Sequence, residues 1–134
     1  MTWSAGLRVA ALAVLGLGLA ACASESGRTG SLEVGERRPV IAAIRRYYES
    51  NAAEENNACS ALLMSGVTRT EVVSDSDGRM VVDVTYFYTN DAHRGSMRCR
   101  GTGNRQFTLT RTADGFQVVD MTGERRLGAR WRIW

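Results

Sequence analysis

Three patterns of apolar spacing divide this chain. Val9 to Ala21 is an unbroken run of Ala, Val, Leu and Gly. From Pro39 the apolar residues recur at helical spacing: Val40, Ile41, Ile44, Tyr47 and Tyr48 form one stripe, with Arg45, Arg46 and Glu49 facing away. Pro39 has a fixed φ and suits a first helical turn. The spacing predicts a helix from Pro39 to about Asn51, fraying toward Glu55 and broken by Asn56-Asn57, with one short turn over Ala61 to Met64. Beyond Thr68 the period drops to two. Thr68–Ser74 is β-prone, and Ser74 to Gly78 reads as a turn. Met80 to Tyr88 is the strongest strand, with Met80, Val82, Val84, Tyr86 and Tyr88 on one face. Gln106–Thr112 and Phe116–Thr122 flank the hairpin signal Ala113-Asp114-Gly115. Asn90 to Asn104 reads as a polar connection, and Arg130 to Trp134 as a final edge strand or a tail.

One helix followed by an antiparallel meander of four to five strands predicts an α+β domain whose helix stripe covers the apolar face of the sheet. This element order over residues 39–122 resembles the nuclear-transport-factor-2-like and cystatin-like folds. Those folds host binding modules and enzymes alike, and no functional residue is carried over from them.

The amino-terminal apolar run is too short to span a bilayer and fits the core of a signal peptide, with Arg8 before it. It ends on Leu19-Ala20-Ala21-Cys22, which resembles the lipobox of bacterial lipoproteins. The resemblance covers residues 1–22. It implies a signal peptide over 1–21, cleavage before Cys22 and acylation of the Cys22 thiol. Two or three acyl chains anchor firmly, at about 0.8 kcal/mol per buried methylene. Ala23 and Ser24 follow the cysteine where many inner-membrane lipoproteins carry Asp, so the resemblance implies an outer-membrane anchor facing the periplasm. Residues 22–38, rich in Ser, Gly and Glu, read as a lipidated flexible tether, and 39–134 as the α+β domain with a basic aromatic tail.

Removal of the signal leaves about 110 residues, one domain with a modest core. With Cys22 acylated, Cys59 and Cys99 remain as an even pair in an oxidising compartment and are expected to form a disulfide. Two cysteines and the single His93 fall short of a structural zinc set, so no metal and no cofactor is expected. All 17 basic residues are arginine. They are unevenly spread: residues 22–78 hold six Arg against nine acids, and residues 79–134 hold ten against five. The basic half suits anionic lipid or acidic glycan, or another envelope protein, while the compartment excludes nucleic acid.

The candidate contact residues form two groups. Arg94, Arg98, Arg100 and Arg105 surround Gly101-Thr102-Gly103, where guanidinium groups beside glycine backbone could grip phosphate or carboxylate. Arg130, Trp131, Arg132 and Trp134 make a tail suited to a membrane or protein interface. Asp83, Asp120 and His93 are candidate pocket residues for a rival reading as a small-ligand-binding or enzymatic cone fold. The reading favoured on sequence is a membrane-anchored, non-enzymatic binding or accessory module of the envelope.

Overall fold

A computed structural model describes residues 27–90 and 99–126. One helix, α1 (Val34–Asn51), precedes four strands: β1 (Leu63–Ser76), β2 (Arg79–Thr89), β3 (Arg100–Thr112) and β4 (Gly115–Met121). The strands pair antiparallel in the order β1-β2-β3-β4, and α1 packs on one face. This is the α+β architecture that the change of period predicts.

The core lies between the helix stripe and the inward face of the sheet. Val40, Ile44 and Tyr48 of α1 meet Met80, Val82, Val84 and Tyr86 of β2 and Phe107 and Leu109 of β3, all with no exposed surface. Each such side chain contributes about 1.5–3 kcal/mol by leaving water. Strict alternation along β2 puts the residues between them outward, and Phe87 is 48% exposed.

Several boundaries differ from the sequence expectation. The helix starts at Val34, one turn before Pro39, so Pro39 sits inside it. β1 starts at Leu63, not Thr68, because Leu62 and Met64 are buried. The apparent breaker Ser65-Gly66 is absorbed by a bulge at the Met64/Gly66 register shift. The β1–β2 turn tightens to Asp77-Gly78, both at positive φ (53° and 73°), as a two-residue hairpin requires. β3 starts at Arg100, so the last third of the expected polar connection is strand.

The expected tether also shortens. The Arg28 N–H donates to the Asp75 carbonyl at 3.1 Å, and Gly30 pairs with Val72. The chain is thus joined to β1 well before the helix. The Arg28 guanidinium contacts Glu33, Glu36 and Asp75, and Arg111 on β3 reaches Glu36 and Asp75 as well. The two arginines and two of the shared carboxylates bind the helix start, the β1–β2 turn and β3 together.

Cys59 and Cys99 are bonded across a separation of 40 residues, with their Cα atoms 5.9 Å apart. Closing a loop of that size contributes about 4 kcal/mol on the chain-entropy model. The bond fixes the start of β3 to the crossover that follows α1.

Candidate functional site

The densest polar cluster lies inside the fold, around Arg105. Arg105 faces the core in register with Val84, and its side chain is only 4% exposed. Its Nε donates to the Tyr86 hydroxyl at 2.7 Å and to Glu54 Oε1 at 3.2 Å. One terminal nitrogen donates to the carbonyls of Thr122 and Glu124, each at 2.8 Å. The other donates to the Ala53 carbonyl at 2.6 Å and pairs with Glu54 Oε1 at 3.0 Å. The guanidinium also lies 5.8 Å from the centroid of the Tyr48 ring. Every nitrogen of the group has a partner, which a buried charge requires.

Glu54 collects the other end of this network. Its Oε1 accepts from the Tyr48 hydroxyl at 3.0 Å and the Tyr86 hydroxyl at 2.6 Å. Burial pushes both hydroxyls well above the ordinary tyrosine range, and the adjacent Glu54 carboxylate adds to the effect. Both tyrosines therefore stay protonated donors. The cluster holds charge in place and ties the crossover at Ala53 to the segment after β4.

Backbone chemistry fits the same cluster. Gly101 and Gly103 pair with Tyr88 and Tyr86 across the β2–β3 ladder. A Cβ on Gly103 would stand 2.6 Å from the Tyr86 ring, and one on Gly101 2.5 Å from the Tyr88 hydroxyl oxygen. The glycines are seats for tyrosine rings. Gly123, at φ 86°, gives the Arg105 guanidinium similar room.

The crossover is closed by a second carboxylate. Glu55, Asn56 and Asn57 take successive left-handed conformations (φ 54°, 56° and 67°). The Glu124 carboxylate accepts the N–H groups of Asn56 and Asn57 at 3.0 and 2.9 Å. Arg125 then reaches the Tyr47 hydroxyl, the Met121 carbonyl and Asp120.

The sequence-predicted site residues separate in space. Arg105 is a correction: it was expected to face solvent beside a flexible glycine loop, and it is instead buried in a strand with its donors spent. Arg100 opens β3 and is exposed, beside a depression of about 550 Å³ lined also by Ser65, Phe87 and Thr102. Asp83 and Asp120 were expected as possible pocket walls. They lie on the outward face of the sheet, where Asp83 accepts from Asn104 Nδ2 at 2.6 Å and Asp120 pairs with Arg125. Cys22, His93, Arg94, Arg98, Arg130, Trp131, Arg132 and Trp134 lie outside the described residues. Among the described residues no three His, Cys, Asp or Glu side chains gather as a metal site would require, and no helix is long and apolar enough to cross a membrane.

Sequence reading missed Glu54 and the inward role of Arg105. One signal was present: odd positions from Gly101 through Arg105 to Leu109 continue the buried alternation, once glycine opposite tyrosine is counted as a core position.

The remaining concentration of charge is on α1. Arg37, Arg38, Arg45 and Arg46 share its outward surface with Val34, Ile41, Ala42 and Glu49. Among the described residues none of these four arginines makes an ion pair or a side-chain hydrogen bond, whereas Arg28, Arg69, Arg105, Arg111 and Arg125 each meet a carboxylate.

No family model matches the chain, and no curated protein or solved structure matches it.

Proposed function

We propose that this protein is an envelope lipoprotein, held to a bacterial membrane by acyl chains on Cys22 and facing the periplasm from the outer membrane. Its domain acts as a non-enzymatic binding or accessory module. The observation that carries the reading is the Cys59–Cys99 bond. Disulfides persist in oxidising compartments, and the lipobox-like Leu19–Cys22 is the kind of signal that delivers a chain to one. The disposition of polar groups supports the module over a catalyst. Arg105, Glu54, Tyr48 and Tyr86 spend their hydrogen bonds on one another and on backbone. Arg37, Arg38 and Arg46 of α1 are exposed and Arg45 is half-buried beside them on the outward face, as a contact surface requires.

The test is metabolic labelling with a fatty acid in a bacterial host. The wild-type chain takes up label and Cys22→Ser does not, accumulating as the longer precursor. Labelling of Cys22→Ser equal to wild type contradicts the proposal.

A further inference from the structure

The outward face of α1 has no internal task. The helix buries Val40, Ala43, Ile44 and Tyr48. At 3.6 residues per turn, Arg38 and Arg45 stand near the opposite side, Arg37 and Arg46 flank them, and Val34 and Ile41 lie between. Four guanidinium groups face one carboxylate, Glu49, across this surface. Their placement does not help the helix. None of the four lies in the last turn, where a cation would complement the helix dipole. Val34 is almost fully exposed, at 99%.

We propose that this face lies on the anionic phospholipid head groups of the membrane that holds Cys22. The inference rests on the lipid-anchor reading above. Three facts favour a bilayer as the occupant. The charge is complementary to phosphate, and guanidinium groups pair with phosphate oxygens in bidentate fashion. Long arginine stems can lie along apolar surface with their heads in the phosphate layer, while Val34 and Ile41 dip below them. The anchor also keeps the face near lipid. Arg28 is already bonded to Asp75 and Glu36, so only the five residues 23–27, six Cα–Cα steps, separate Cys22 from the body of the domain. Fully extended, they span about 20 Å. The link thus limits how far Arg28, which pairs with Glu36 of the first helical turn, can stand from the surface, and it leaves the helix start free to touch that surface.

The experiment uses the full chain purified from membranes and reconstituted into two kinds of vesicle: phosphatidylglycerol with phosphatidylcholine, and phosphatidylcholine alone. Flotation with both kinds reports the anchor. Modification of individual arginines by phenylglyoxal, mapped by peptide mass spectrometry, reports the face, with exposed Arg79 as the internal reference. The proposal predicts that Arg37, Arg38, Arg45 and Arg46 react about tenfold more slowly on the anionic vesicles than on the neutral ones, and that high salt removes the difference. Equal rates on both vesicles overturn it, as does protection that persists on phosphatidylcholine, which would indicate contact with protein or with apolar lipid. A chain that fails to float with neutral vesicles refutes the anchor instead, and protection measured on anionic vesicles then still judges the face.

Discussion

Arg105 gives its whole hydrogen-bonding capacity to the interior, and the end of the fold depends on it. Three backbone carbonyls, a carboxylate and a tyrosine hydroxyl converge on one guanidinium. Removing one partner of a buried charge pair costs about 3–5 kcal/mol, because the other is left uncompensated. Arg105→Met is expected to lose at least 3 kcal/mol by chemical denaturation (about the lower end of that range). Arg105→Lys is expected to recover little, since one ammonium cannot reach all of these acceptors. A loss within 1 kcal/mol for Arg105→Met (about the worth of one exposed pair) would show that the network is dispensable.

The glycine seats give a second prediction at this scale. Tyr86 has no exposed surface, and both Glu54 and Arg105 hold its hydroxyl. Tyr88 keeps 7% exposure and a longer bond of 3.3 Å to Glu55. Gly103→Ala therefore pushes on a ring that cannot move and is expected to cost about 2–3 kcal/mol. Gly101→Ala pushes on one that can and is expected to cost about half as much. Urea midpoints of the two variants decide it, and the reverse order would contradict the assignment.

Between elements, the junction of the helix start, the β1–β2 turn and β3 is electrostatic. Hydrogen bonds from Arg111 hold the Asp75 carboxyl below the ordinary carboxylate range, against the opposing effect of burial. Burial would raise Glu36, but Arg28 and Arg111 outweigh it and lower that carboxyl too. A carboxyl with a lowered value binds its proton more readily in the unfolded chain. Its stabilising contribution is complete above the ordinary carboxylate range and is lost as pH falls through that range and then through the lowered one. The melting temperature is expected to fall as the solution is acidified below about pH 4. Arg111→Gln should flatten this fall, because it removes the largest cause of the Asp75 shift. An unchanged acid slope in that variant would mean that the junction contributes no proton linkage.

Elements whose signal is local were legible in the chain. Five inward apolar residues at period two, Met80 to Tyr88, define β2, and Val40, Ile44 and Tyr48 define the inward face of α1, whereas Ile41, expected in that stripe, lies on the outward surface among the arginines. What was hidden depends on partners far along the chain. Gly101 and Gly103 look like loop glycines until tyrosines are set opposite them. Arg105 looks solvated until Glu54, 51 residues away, is brought to it. Ser65-Gly66 looks like a break until β2 pairs across it and the extra residue becomes a bulge. The outward arginines of α1 were visible as a polar face, but that they lack partners follows only from the ion pairs and side-chain hydrogen bonds of the described residues, none of which reaches them.

On the scale of the whole molecule, the chain combines an amino-terminal segment whose Leu19–Cys22 resembles a lipobox with a small domain cross-linked by Cys59–Cys99. The link from Cys22 to that domain is short because Arg28 and Gly30 belong to the domain. Acyl chains on Cys22 would therefore keep the amino-terminal end of the domain within about 20 Å of lipid. The anchored form is read out by the intact mass of the protein extracted from bacterial membranes. The expected value is the mass of residues 22–134 plus a diacylglyceryl group, with or without an amide-linked acyl chain, less two hydrogen atoms for the one disulfide. A mass matching a chain that begins elsewhere and carries no acyl group would contradict it.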